Sequence, residues 1–132
     1  MAKILIVDDT FEDLQSMKSL LEKNGHTVIT ATNGAQGFEK LAEDLPVDLL
    51  LASIKMPILS GYDLTKLVRE KYGHSLKIVY ASIVPQNEAD LKDVDGFIQK
   101  PYSPEKFMET INTVLATPAA PDAPAKKIKN LS

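Results

Sequence analysis

A chain of 132 residues, 44% hydrophobic and 25% charged, is long enough for one domain that buries roughly two-thirds of its unfolded surface. It has no cysteine, which excludes a disulfide framework, a thiolate metal site and a cysteine nucleophile. The formal charge of -3 splits into +2 over residues 118–132 (Lys126, Lys127 and Lys129 against Asp122) and -5 over the rest, so the body offers no basic stripe and direct nucleic-acid binding is not expected.

No apolar run reaches the ~18 residues of a membrane span, and Met1-Ala2-Lys3 leads straight into a strand pattern, not a signal peptide. A cytoplasmic location with no membrane association is expected. Ile4-Leu5-Ile6-Val7 is a continuous apolar run, as in a strand buried on both faces. A helix follows, with Leu14, Met17, Leu20 and Leu21 on one stripe, stopped near Asn24-Gly25. Val28 to Ala31 is a second strand, Asn33-Gly34 a turn, and a second helix carries Phe38, Leu41 and Ala42. Leu49 to Ala52 is the third strand, ended ahead of Met56-Pro57.

The third helix runs from about Tyr62 to Tyr72, with Leu64, Leu67 and Val68 inward and Gly73 as its stop. Ile78 to Ala81 is strand four. Only a short helical piece fits around Asn87 to Asp93, and Phe97-Ile98 is a short fifth strand. The last helix opens on Ser103 as N-cap, Pro104 at its first position and Glu105 in its first turn, with Phe107, Ile111, Val114 and Leu115 as its stripe. The domain is thus expected over residues 1–117. Residues 118–132 form a Pro/Ala linker and a basic tail, expected to be disordered.

Strict β-α alternation implies a mostly parallel, doubly wound α/β sheet with helices on both faces. Its polar residues gather where strands end: Asp8 and Asp9 after the first, Ser53 after the third, Ser82 at the fourth, Lys100 after the fifth. In open α/β sheets, ligands bind at those carboxyl ends. Each residue also has a plainer explanation. Thr10 and Asp13 have the spacing of a helix-capping pair, Ser82 is a small residue at a strand end, Phe97 fits a core, Lys100 fits a solvated surface, and His26 and His74 fall in expected surface loops.

Taken in order, KILIVDDT, DLLLASIKMPILSG, KIVYAS and GFIQKPYSPEKF resemble the receiver domain of two-component response regulators, over about residues 3–116. The resemblance implies a flavodoxin-like, five-stranded parallel sheet of order 2-1-3-4-5 and a cis Lys100-Pro101 bond. It implies that Asp8, Asp9 and the Lys55 backbone carbonyl hold Mg²⁺. It further implies that Ser82 and Lys100 contact a phosphoryl group, and that Phe97 is the switch aromatic. The phosphoacceptor position, an aspartate in the family, is here Ser53.

That substitution changes the expected chemistry. A carboxylate, which ordinarily titrates at a pH of about 4, is already a nucleophile at neutral pH, whereas a serine hydroxyl needs an adjacent base. Serine cannot form an acyl phosphate. It also removes an anionic ligand, so Mg²⁺ is expected to bind weakly. The Lys55 ammonium could swing toward Asp8 and Asp9 and take the metal's electrostatic place; a solvent-facing lysine is the plainer reading. Between Ser82 and Lys100 the chain is about one helical turn shorter than is usual in the family, so the helix expected there must be short or absent.

These features point to a non-enzymatic receiver module that acts through a protein partner, a histidine kinase or a downstream effector, without aspartyl phosphorylation, as a monomer or weak dimer. The alternative is a conventional phosphorelay receiver whose acceptor aspartate was replaced by Ser53 through engineering. A phosphohydrolase of the haloacid dehalogenase type needs aspartates on alternate residues. Asp8 and Asp9 are adjacent and residue 10 is threonine, so that class is disfavoured.

Overall fold

The chain threads five parallel strands through alternating helices. In chain order these are β1 (Lys3–Val7), α1 (Phe11–Lys23), β2 (Thr27–Ala31), α2 (Gly34–Glu43), β3 (Leu49–Ala52), α3 (Gly61–Tyr72), β4 (Lys77–Ser82), β5 (Gly96–Gln99) and α4 (Pro104–Ala116). A computed structural model of the chain describes residues 1–43 and 46–119. The linker and tail beyond residue 119 lie outside the described residues.

The strands pair in parallel in the order β2-β1-β3-β4-β5, as the sequence resemblance implies. β3 and β4 are buried along their whole length, which explains their unbroken apolar runs. The sheet divides two cores. Ile4, Ile6, Leu49, Leu51 and Val79 pack with Met17 and Leu21 of α1 and with Phe107 and Ile111 of α4. Leu5, Val7, Leu50, Ile78 and Tyr80 pack with Leu41 of α2 and with Leu64 and Val68 of α3.

Two inward assignments fail. Leu67 is exposed, and the buried stripe of α3 is instead Gly61, Leu64, Thr65, Val68 and Arg69. Ala42 is exposed as well, whereas Gly34 and Gly37 of α2 press against Leu59 and Val7. In α2 these two glycines, and in α3 Gly61, sit where the chain approaches a neighbour too closely for a larger side chain.

No α-helix joins β4 to β5. The segment holds only a short 3-10 turn at Gln86–Glu88, so the helical piece expected around Asn87 to Asp93 shrinks and moves toward the amino terminus. Side chains from elsewhere hold this connection. Arg69 of α3 donates from Nε to the Asp93 carbonyl (2.9 Å) and from Nη1 to the carbonyls of Gly73 (2.8 Å) and Leu76 (2.6 Å). Its Nη2 pairs with Asp95 at 3.0 Å, and the same Asp95 oxygen accepts from the Ile78 amide. Gln99 spans the other end, donating to the Ser82 and Val84 carbonyls and accepting from the Gln86 amide. The Tyr62 hydroxyl accepts from the Asp90 amide.

Gly61 opens α3 where its N–H donates to the Ile54 carbonyl at 2.7 Å. A Cβ there would strike the Ser53 carbonyl and the Ile54 backbone, so only glycine fits. Gly61→Ala is expected to destabilise the fold by about 3 kcal/mol or more in urea unfolding, because the obstacle is backbone and cannot rotate away. Arg69→Met keeps the bulk but leaves three carbonyls and a carboxylate short of a donor. It should cost about 3–5 kcal/mol by the same measurement.

Candidate functional site

The carboxyl ends of β1, β3, β4 and β5 meet at one pole of the sheet. The Asp8 amide extends the β1–β2 pairing by donating to the Ala31 carbonyl (3.1 Å), which turns its side chain into the pole, where Asp8 is only 1% exposed. One carboxylate oxygen accepts from the Thr10 amide at 2.9 Å, a local turn of the kind aspartate favours. Ser53 is tied beside β1 through its amide to the Val7 carbonyl (2.9 Å) and is almost fully buried. Ser82 is buried too. Its hydroxyl oxygen accepts from the Val84 amide (3.1 Å), and its carbonyl accepts from the Lys100 amide (2.9 Å).

Lys100 precedes a cis peptide bond to Pro101, as expected. Its side chain crosses to β1 and donates to Asp8 Oδ2 at 2.7 Å and to Asp13 Oδ2 at 2.8 Å. The lysine head is therefore no surface charge: only 9% of the side chain is exposed, against 1% for Asp8 and 40% for Asp13. Burial alone would lower its pKa, but hydrogen bonds to Asp13 and Asp8 outweigh that and raise it above the ordinary lysine value.

Asp13 takes a place that its spacing from Thr10 does not suggest. Thr10 is the N-cap of α1, but its side chain makes no capping bond and Asp13 does not close a capping pair; it turns to Lys100. The available signal was its place in the first turn of α1, directly after the acidic pair. Asp9 and Lys55 are exposed, and the ammonium at Asp8 belongs to Lys100, not Lys55. Phe97 lies half-buried on β5 against the α2/α3 core. His26 is half-buried and accepts from the Ala2 amide at 3.1 Å, far from this pole.

Two tyrosines have phenols held well out of their usual range. Tyr80 is buried on β4, donates to the Thr65 hydroxyl (2.9 Å) and meets Tyr62 edge-on at 5.6 Å. Tyr102 stacks on Phe107 at 4.9 Å. Burial pushes both phenols up to about 12, and the Asp13 and Asp8 carboxylates add to the shift at Tyr102. As they stand, the side chains alone do not form a ready-made metal cradle. Both Asp8 oxygens are taken, by Thr10 and Lys100, and among the described residues no three acidic or histidine groups are spaced to hold an ion.

The response regulator receiver domain matches residues 4–112. The chain belongs to the response regulator receiver family. Among relatives of this receiver domain, PilH of Pseudomonas aeruginosa is 33% identical over 124 residues, spanning 88% of this chain and 99% of PilH. A receiver domain protein of Clostridium thermocellum superposes over the whole of both chains with a TM-score of 0.79 and 26% identity. The chemotaxis protein CheY4 of Vibrio cholerae superposes with a TM-score of 0.78 and 27% identity, covering 86% of this chain and 98% of that one. Receiver domains are regulatory, interact with histidine kinases or effectors and commonly bind Mg²⁺. Among the described residues of this one, no helix is long and apolar enough to cross a membrane.

The raised phenols give the fold a pH signature. Each holds its proton more tightly folded than unfolded, so the stability it contributes is complete below pH 10 and is lost as the pH climbs toward about 12. Urea midpoints measured from pH 9 to 12 should fall across that window, with phenolate absorbance rising in step. Tyr102→Phe should shrink the fall.

Proposed function

We propose that this receiver domain works as a regulatory interaction module in the cytoplasm without aspartyl phosphorylation. The observation that carries this reading is the pairing at the pole: position 53 offers a buried hydroxyl, and the Lys100 ammonium is already held by Asp8 and Asp13. Serine has no carboxylate to accept a phosphoryl group as a mixed anhydride, and no histidine stands among the residues of the pole to activate its hydroxyl. Ser53 also withdraws one negative charge from any divalent ion, so Mg²⁺ binding through Asp8, Asp9 and the Lys55 carbonyl is weakened.

A protein partner fits the rim of the same pole. Phe11 after β1, Ile58 after β3 and Ile83 after β4 are 71%, 81% and 68% exposed. Ile58 also has a φ of 73° in a tight turn closed by Leu59 N–H to the Pro57 carbonyl (2.8 Å), a strained conformation for a β-branched residue. Strain of this kind collects at functional positions.

Incubation with acetyl phosphate, or with a histidine kinase, should leave the unmodified protein without an acyl phosphate. Ser53→Asp should introduce base-labile label at position 53, with Lys100 and Ser82 receiving the phosphoryl oxygens. Label on an aspartate of the unmodified protein would sink the reading. A Ser53→Asp protein that stays unlabelled would place the loss of phosphotransfer deeper than one residue, in the shortened β4–β5 connection.

A further inference from the structure

The chain leaves α4 at a fixed place. Lys77, buried at the start of β4, donates from Nζ to the Thr117 carbonyl, and the Thr117 hydroxyl donates to the Thr113 carbonyl at 2.8 Å. One turn earlier Val114 lies against Gly96, where an added Cβ would meet it at 2.9 Å. The chain therefore departs beside the start of β5, next to the segment that joins β4 to β5. That segment is acidic. Over residues 83–95 it carries Glu88, Asp90, Asp93 and Asp95 against Lys92. Arg69 neutralises Asp95, which leaves three carboxylates and one ammonium, a net of -2. Glu88 and Asp90 are exposed, and Asp93 is half-buried.

Residues 118–132 carry the opposite charge, +2, from Lys126, Lys127 and Lys129 against Asp122. We propose that this tail folds back on its own domain and docks over the β4–β5 connection, its lysines on Glu88, Asp90 and Asp93. Reach permits it. Eight residues separate Thr117 from Lys126, and a Pro-rich stretch of that length spans up to ~25 Å. The four residues of β5 rise only ~13 Å. Tethering makes weak ion pairs sufficient, because it holds the tail at an effective concentration on the order of millimolar. Handedness sets the form of the contact. β5 is an edge strand, but a parallel strand added beyond it through α4 is disfavoured. α1 and α4 share one face of the sheet, and β1–α1–β2 steps across it in the opposite direction from β5–α4–tail. Parallel crossovers are right-handed, so the added one would be left-handed. The tail therefore lies across the connection through its side chains and leaves the outer edge of β5 unpaired. A partner that binds the connection must first displace it.

The chain has no cysteine, so one nitroxide spin label on Ser132→Cys reports where the tail lies. In the full chain at ~20 mM salt, the NMR amide signals of Glu88, Asp90 and Asp93 should lose about half their intensity or more. They should recover at ~0.5 M salt, where exposed charges are screened over a few Å. Two sets of substitutions should each abolish the broadening. One is Lys126→Glu, Lys127→Glu and Lys129→Glu together; the other is Glu88→Gln, Asp90→Asn and Asp93→Asn together. The second set keeps the side-chain shapes, and Asp90→Asn retains the oxygen that accepts from the Lys92 amide at 3.2 Å. The proposal falls if the connection is not broadened, or if broadening centres instead on Asp8, Asp9 and Glu12 at the far end of β1. Broadening that survives both sets of substitutions overturns it too. So does broadening of isotope-enriched, unlabelled chains by spin-labelled ones in a mixed sample, which would put the tail on a second copy.

Discussion

A single ammonium held between two carboxylates organises the carboxyl end of this sheet. Lys100 and Asp8 are 92 residues apart in the chain, and they meet because parallel winding returns every strand end to the same pole. Lysine ties β1 to the β5–α4 turn, and through Asp13 it ties the first turn of α1 to both. Breaking the contact would strand a buried charge, so the arrangement is enforced by the cost of leaving Asp8 alone more than by the attraction itself.

The connection from β4 to β5 solves a different problem by similar means. A parallel crossover ordinarily carries a helix, whose backbone satisfies its own polar groups and whose apolar face covers the sheet. Between β4 and β5 that helix is missing, so carbonyls along the segment need donors from elsewhere. The Arg69 guanidinium serves the Asp93 carbonyl there, along with those of Gly73 and Leu76 ahead of β4, and the Gln99 amide serves the Ser82 and Val84 carbonyls where the segment leaves β4. Tyr62 adds a further tether. These are long side chains reaching into backbone, and each fixes one end of a segment that the regular element would have fixed throughout.

Strands with unbroken apolar runs were legible in the sequence. Leu49 to Ala52 is found where expected, and β1, β2, β4 and β5 extend the expected runs by only one or two residues. Gly73 stops α3 with its positive φ of 62°, as the glycine rule predicts. Side chains that act at long range were less legible. Asp13 has the sequence context of a helix cap, and nothing local tells that a lysine 87 residues away will claim it. Arg69 sits on a stripe that periodicity would fill with Leu67. It is buried because its fixed fork of donors found the Asp93, Gly73 and Leu76 carbonyls and the Asp95 carboxylate, which spacing cannot foretell. The 3-10 turn at Gln86–Glu88 was likewise set by Gln99, from the far end of the connection.

The sheet also acts as a partition. One apolar cluster lies wholly on the α1/α4 side and the other wholly on the α2/α3 side, with neighbouring residues of a strand such as Leu5 and Ile6 assigned to opposite halves. Packing errors therefore stay on the side where they arise, and effects of substitutions in separate compartments add without coupling. Over evolutionary time each half can be repacked while the other is left unchanged. Only the backbone of the strands and the residues at their ends must satisfy both.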